Sequence, residues 1–121
     1  MVPVQPDDGA DDALQAVMRG LAASARESNL RRTAVLESAL TALAAGALTA
    51  EQRESAVSAA HQVAGSAGTF GKHRSSVLAA ALEQWFRDDA RPGAGPERLE
   101  WARDQVGELR ADLTGTHQGD G

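Results

Sequence analysis

Apolar residues recur along this chain at intervals of three and four, the period of an amphipathic helix. Leu14, Val17, Met18 and Leu21 form the first such stripe, on a helix expected from about Asp11 to Arg26. Ser28 and Asn29 read as breakers or caps. The pattern then resumes with Leu36, Leu40, Leu43 and Ala47, widened by Val35 and Ala39. It leaves open whether residues 11–46 are two helices or one kinked helix; Gly46 is the expected terminator. Thr49, with Gln52 three residues on, has the form of a capping box. The next helix directs Ala56, Ala59 or Ala60, Val63, Ala67 and Phe70 inward, and Gly71 ends it. A further helix over about Lys72 to Asp88 has its apolar side in Val77, Leu78, Ala81, Leu82, Trp85 and Phe86. Residues 89–95 form a loop, and Pro96 stands where a first helical residue belongs. Leu99, Ala102, Val106, Leu109 and Leu113 make the last stripe.

No segment carries the pattern of a strand. Four or five amphipathic helices with short connections predict an all-α, up-and-down four-helix bundle with an additional N-terminal helix. The chain of 121 residues suits one domain, spanning 11–113 between a disordered N-terminal tail, 1–10, and a disordered C-terminal tail, 114–121. With two Trp, two Phe and no Tyr, the core must come from Leu, Val and Ala. The absence of cysteine excludes thiolate chemistry and fits a reducing compartment. A net charge of −5 argues against nucleic acid and against an anionic membrane surface. No apolar run approaches the roughly 20 residues of a membrane span, and no signal peptide is visible. A cytoplasmic protein is expected, and the initiating Met1 and tail-like ends fit a free-standing one. Asp7, Asp8, Asp11 and Asp12 read as a solvated acidic helix start.

One stretch departs from economical helix design. Residues 59–71 hold His61 followed by Gly65, Gly68 and Gly71. A glycine inside a helix costs about 1 kcal/mol relative to alanine, and alanine is abundant here. His61 and Gly65, four apart, are surface neighbours. Their face takes in Arg53, Glu54, Val57, Ser58 and Gly68, so His61 is expected to point outward.

The segment His61-Gln-Val-Ala-Gly-Ser-Ala-Gly-Thr-Phe-Gly resembles the phosphorylation-site helix of histidine-containing phosphotransfer (HPt) domains of bacterial two-component phosphorelays. That pattern has a histidine, a basic residue at +3, glycine at +4, small residues next and glycine near +10. HPt domains often add Leu at +17 and Gln or Glu at +22. His61, Gly65, Ser66, Ala67, Gly68, Gly71, Leu78 and Glu83 match, and the resemblance covers about residues 30–113. The departure is Ala64, which stands at the basic position. Lys72, His73, Arg74 and Arg53 are the candidate replacements for its cation.

The resemblance implies a four-helix bundle and a phosphoprotein of signal transduction. His61 would exchange a phosphoryl group with the aspartate of a response-regulator receiver domain, free or in a hybrid histidine kinase. The chain would be a phosphocarrier without kinase activity of its own, and it has no P-loop or kinase-type glycine loop. No cofactor is expected on this chain, and Mg²⁺ would be held by the receiver. Glu83 would accept the ring's other N–H and so orient His61. Gly65 would clear space over the ring, while Gly68 and Gly71 would serve packing and the turn. Val57, Ser58, Gln62, Ala64, Gly65 and Lys72 are the expected docking residues of a monomer. His117, in the tail, reads as incidental, and no spacing supports a histidine metal site. The alternative is a non-phosphorylated HPt-like interaction or dimerisation bundle, for which Ala64 is the main support.

Overall fold

The computed structural model describes residues 6–91 and 93–115. They form four α-helices: α1 over Pro6–Ala44, α2 over Ala50–Thr69, α3 over His73–Asp88 and α4 over Pro96–Thr114. Packing is cyclic: α1 and α3 each lie against α2 and α4, and the diagonal pairs do not approach. This is the expected all-α bundle. The expected additional N-terminal helix is helical but is not a separate element. It is the first half of α1, which runs unbroken for 39 residues, about 58 Å at 1.5 Å per residue.

Each boundary has a local cause. Gly46 takes φ 70°, a left-handed conformation that costs glycine little. It allows the Ala47 N–H to reach back to the Ala42 carbonyl at 2.8 Å, which closes α1 in a Schellman-type turn. Thr49 and Gln52 form the full capping box. The Gln52 N–H donates to Thr49 Oγ1 at 3.0 Å, and the Thr49 N–H donates to Gln52 Oε1 at 2.8 Å. Gly71, at φ 75°, repeats the first device: the Lys72 N–H donates to the Ala67 carbonyl at 2.8 Å. Pro96 opens α4 at its first turn, where its missing N–H costs nothing.

The core draws Leu36, Leu40 and Leu43 from α1, and Ala56, Ala59, Ala60 and Val63 from α2. Leu82, Trp85 and Phe86 come from α3, and Ala102, Val106, Leu109 and Leu113 from α4. Trp85 meets Phe86 edge to face, with centroids 5.1 Å apart, an arrangement the aromatic quadrupole favours. Alanine on α2 faces the bulkier side chains of α3, so α2 and α3 come close. Polar contacts fix the remaining pairs. Ser75 on α3 donates to Asp112 on α4 at 2.5 Å. Arg110 on α4 donates twice to Glu37 on α1, at 2.7 and 2.8 Å, and that hydrogen bonding raises the Arg110 pKa.

Several expectations need correction. Ser28 and Asn29 do not interrupt α1. Asn29 is buried, and its side-chain amide donates to Ser66 Oγ on α2 at 3.2 Å; a tertiary partner outweighs its preference for caps. Among the described residues, the stripe Leu14, Val17, Met18 and Leu21 faces no other helix, and Leu14 is 59% exposed. Val35 and Val77 are also exposed, since each lies beyond the arc that neighbouring helices cover, and Ala47 is exposed in the connection after α1. Residues 6–10, assigned to the tail, lie in the first turns of α1. Residues 1–5 and 116–121, with His117, fall outside the described residues.

This packing separates the two sides of α3. Phe86→Ala should cost roughly 3–5 kcal/mol of unfolding free energy. Val77→Ala, on the exposed side of the same helix, should stay within about 0.5 kcal/mol of the wild type. Urea unfolding followed by circular dichroism measures both.

Candidate functional site

The site is built on the α2–α3 hairpin. The tight connection at 70–72 returns the chain antiparallel, so residues before the turn come level with residues after it. Gly68 faces α3, where a Cβ built on it would stand 3.4 Å from Ser76 Oγ, an ordinary van der Waals contact. Ser76 Oγ donates to the Ala64 carbonyl at 2.8 Å. Two turns farther from the hairpin end, the same register brings Glu83 opposite His61. Nothing bulky intervenes, so a glutamate spans the gap.

His61 Nδ1 lies 3.1 Å from Glu83 Oε1. A carboxylate accepts, so Nδ1 carries the proton and the Nε2 lone pair is left free. The His61 side chain is 74% exposed and that of Glu83 only 16%. The ring therefore stands in solvent while its brace is mostly enclosed. The second carboxylate oxygen, Oε2, accepts from Arg87 Nη2 at 3.0 Å. Arg87 is four residues on along α3, so its grip fixes the rotation of the carboxylate that holds the imidazole. Arg53 on α2 reaches across and donates to the Arg87 carbonyl at 3.3 Å, near the negative end of the α3 dipole.

These residues line one shallow groove of about 440 Å³, bounded by Arg53, Glu54, Val57, Ser58, His61, Glu83 and Arg87. The structure thus brings His61, Glu83, Val57 and Ser58 together. Gln62 is exposed beside them and donates to Ser58 Oγ at 3.0 Å. Ala64 is half-buried against the core. Gly65 is exposed, and a Cβ built on it meets nothing within 4 Å, so the packing of this chain does not require glycine there. Lys72 precedes α3 and lines a different crevice, beside Phe70.

Of the cations considered as replacements at Ala64, Arg53 alone lines the groove. Arg74 is paired with Glu108 on α4, and His73 is exposed at the start of α3. Sequence reasoning missed Arg87. Its signal was present: a basic residue at i+4 from Glu83 must share that helix face. Among the described residues, no group of three or more His, Cys, Asp or Glu is placed to hold a metal, and no helix is long and apolar enough to cross a membrane.

The bundle thus presents an exposed imidazole braced by a carboxylate from the neighbouring helix. The Hpt domain family matches this chain over residues 12–118, and the chain belongs to that family. Membership gives it a histidine phosphotransfer role in phosphorelays, in which Hpt domains interact with receiver and kinase domains. No curated protein and no solved structure matches the chain.

The His61–Glu83 contact predicts a spectroscopic signature. In the wild type, long-range ¹⁵N–¹H correlations should report the Nδ1–H tautomer for neutral His61. In Glu83→Ala that bias should be lost, and the Nε2–H form common in free imidazoles should appear.

Proposed function

We propose that His61 is the phosphorylated residue, and that it exchanges a phosphoryl group with the aspartate of a receiver domain. The reading rests on one observation: Glu83 holds Nδ1 while Nε2 stands free on an exposed ring. The Nε2 lone pair attacks the phosphorus of the receiver's aspartyl phosphate. The P–N bond forms as the P–O bond to the aspartate breaks, and the aspartate leaves as a carboxylate. The ring becomes cationic, with its Nδ1 proton still directed at Glu83, whose negative charge offsets that of the imidazolium. The reverse step returns the phosphoryl group along the same line. Mg²⁺ belongs to the receiver and supplies charge neutralisation there.

Arg87 and Arg53 give the site the positive charge that Ala64 does not. They stand in the groove on the Glu83 side of the ring, so they act on a phosphoryl group at Nε2 through the local field and not by direct contact. This weakens the chief support for the alternative of a non-phosphorylated bundle, which was the missing cation. Val57, Ser58, Gln62, Ala64 and Gly65 surround the ring and form the docking surface. The open space over Gly65 receives the phosphoryl group or the receiver loop that carries it. Lys72 belongs to the periphery of that surface.

Incubation with a receiver phosphorylated from ³²P-acetyl phosphate should label the wild type. The label should be acid-labile, as for a phosphohistidine. His61→Gln should take no label; equal labelling of this variant would refute the assignment. Gly65→Ala should separate stability from function. It should leave the fold as stable as the wild type, or up to about 1 kcal/mol more stable, while slowing transfer at least about tenfold through crowding at the ring.

A further inference from the structure

We propose that the N-terminal arm of α1 pairs antiparallel with the same arm of a second copy of this chain, giving a twofold-symmetric dimer. Residues 9–24 are exposed without exception, although Leu14, Val17, Met18 and Leu21 make a regular apolar stripe among them. That stripe continues the face α1 turns to the core. Through Ala25 and the buried Asn29 and Thr33, it runs on into Leu36, Leu40 and Leu43. Beyond Asn29 the other three helices no longer cover it. A helix in water owes most of its order to packing of its apolar face, and Gly20 weakens this arm further. The face therefore calls for a cover that the described residues do not supply.

Charge names the cover. At the base of the arm, where α1 leaves the bundle, lies an open crevice of about 430 Å³. Its apolar floor includes Ala22, Ala25 and Phe70, and its rim carries Arg19, Arg26 and Lys72. None of these three cations forms an ion pair among the described residues. The opposite end of the same arm is acidic, with Asp11 and Asp12. Antiparallel pairing about a centre between Val17 and Met18 sets Leu14 level with Leu21 of the second copy. Asp11 then comes level with Ser24 of that copy, within one turn of its Arg26. The acidic end of each arm thus enters the basic crevice of the other. Parallel pairing would set Asp11 against Asp11 and leave both crevices empty.

The contact is isologous: each arm is at once the occupant and the site. It shares no residue with the His61 groove, and Lys72, at the rim of the crevice, is the one residue it has in common with the periphery of the receiver-docking surface. The expectation from the sequence was a monomer.

Sedimentation velocity over roughly 1–100 µM should show the wild type passing from monomer to dimer. Leu14→Glu with Leu21→Glu should raise the dimer dissociation constant at least about tenfold. Its bundle should stay folded, with the wild-type His61 tautomer signal as the check. Asp11→Arg and Arg26→Asp should each weaken the dimer, and the double variant should recover it. The chain has no cysteine, so orientation can be read by oxidation. Val17→Cys should cross-link with itself. Leu14→Cys alone should not, because the two sites lie about 10 Å apart along the axis, beyond disulfide reach. A mixture of Leu14→Cys and Leu21→Cys should cross-link. A wild type that stays monomeric throughout, a dimer indifferent to the double glutamate change, or self-linking of Leu14→Cys would each overturn the proposal.

Discussion

The close approach of α2 and α3 is the constraint on which the rest depends. Ala60, Ala64 and Ala67 give α2 a shallow surface, and it stays low at Gly68, where Ser76 crosses. The Ser76 hydroxyl, bonded to the Ala64 carbonyl, pins the register along the axis. With separation and register both set, the Glu83 carboxylate meets the His61 ring without strain in either helix. Larger side chains along this seam would push the helices apart and leave the imidazole free to rotate. The alanine-rich composition is thus a condition of the site as well as of helix formation.

The site gains its polarity from unequal burial. Glu83 is mostly enclosed, and a carboxylate there needs partners. It has two, His61 and Arg87, one on each oxygen. His61 remains in solvent, where a partner protein can reach it. Arg53 ties the end of α3 back to α2, so the walls of the groove are connected to each other and not only to the core. An exposed ion pair contributes little to stability; what this network contributes is a fixed orientation for one ring.

Much of this was legible in the sequence because it depends on short-range regularities. The Thr49–Gln52 box, the Pro96 start and the stripe from Leu99 to Leu113 are local patterns with local causes. The pairing of His61 with Glu83 was legible through the resemblance to HPt domains, which puts an acid or amide twenty-two residues after the histidine; the tight hairpin is what makes the two level. Arg87 was readable from its i+4 spacing to Glu83. What could not be read was coverage. Periodicity showed that Leu14, Val17, Met18 and Leu21 share a face, but not that the other helices stop short of it. Nor could it show that Asn29, a good cap in isolation, would find Ser66 across the helix interface and let α1 run through.

The tight connection at 70–72 bears on how the molecule acquires its function. His61, Glu83, Arg87 and Arg53 all lie within residues 50–88, on two helices joined by that turn. Closing so short a loop costs little chain entropy, and contacts local in sequence form early in folding. The side chains that orient the imidazole come from two consecutive helices, and α1 and α4 act on it only through the shared core. Sequence drift in α1 and α4 can therefore alter stability and surface with little effect on the geometry of the ring.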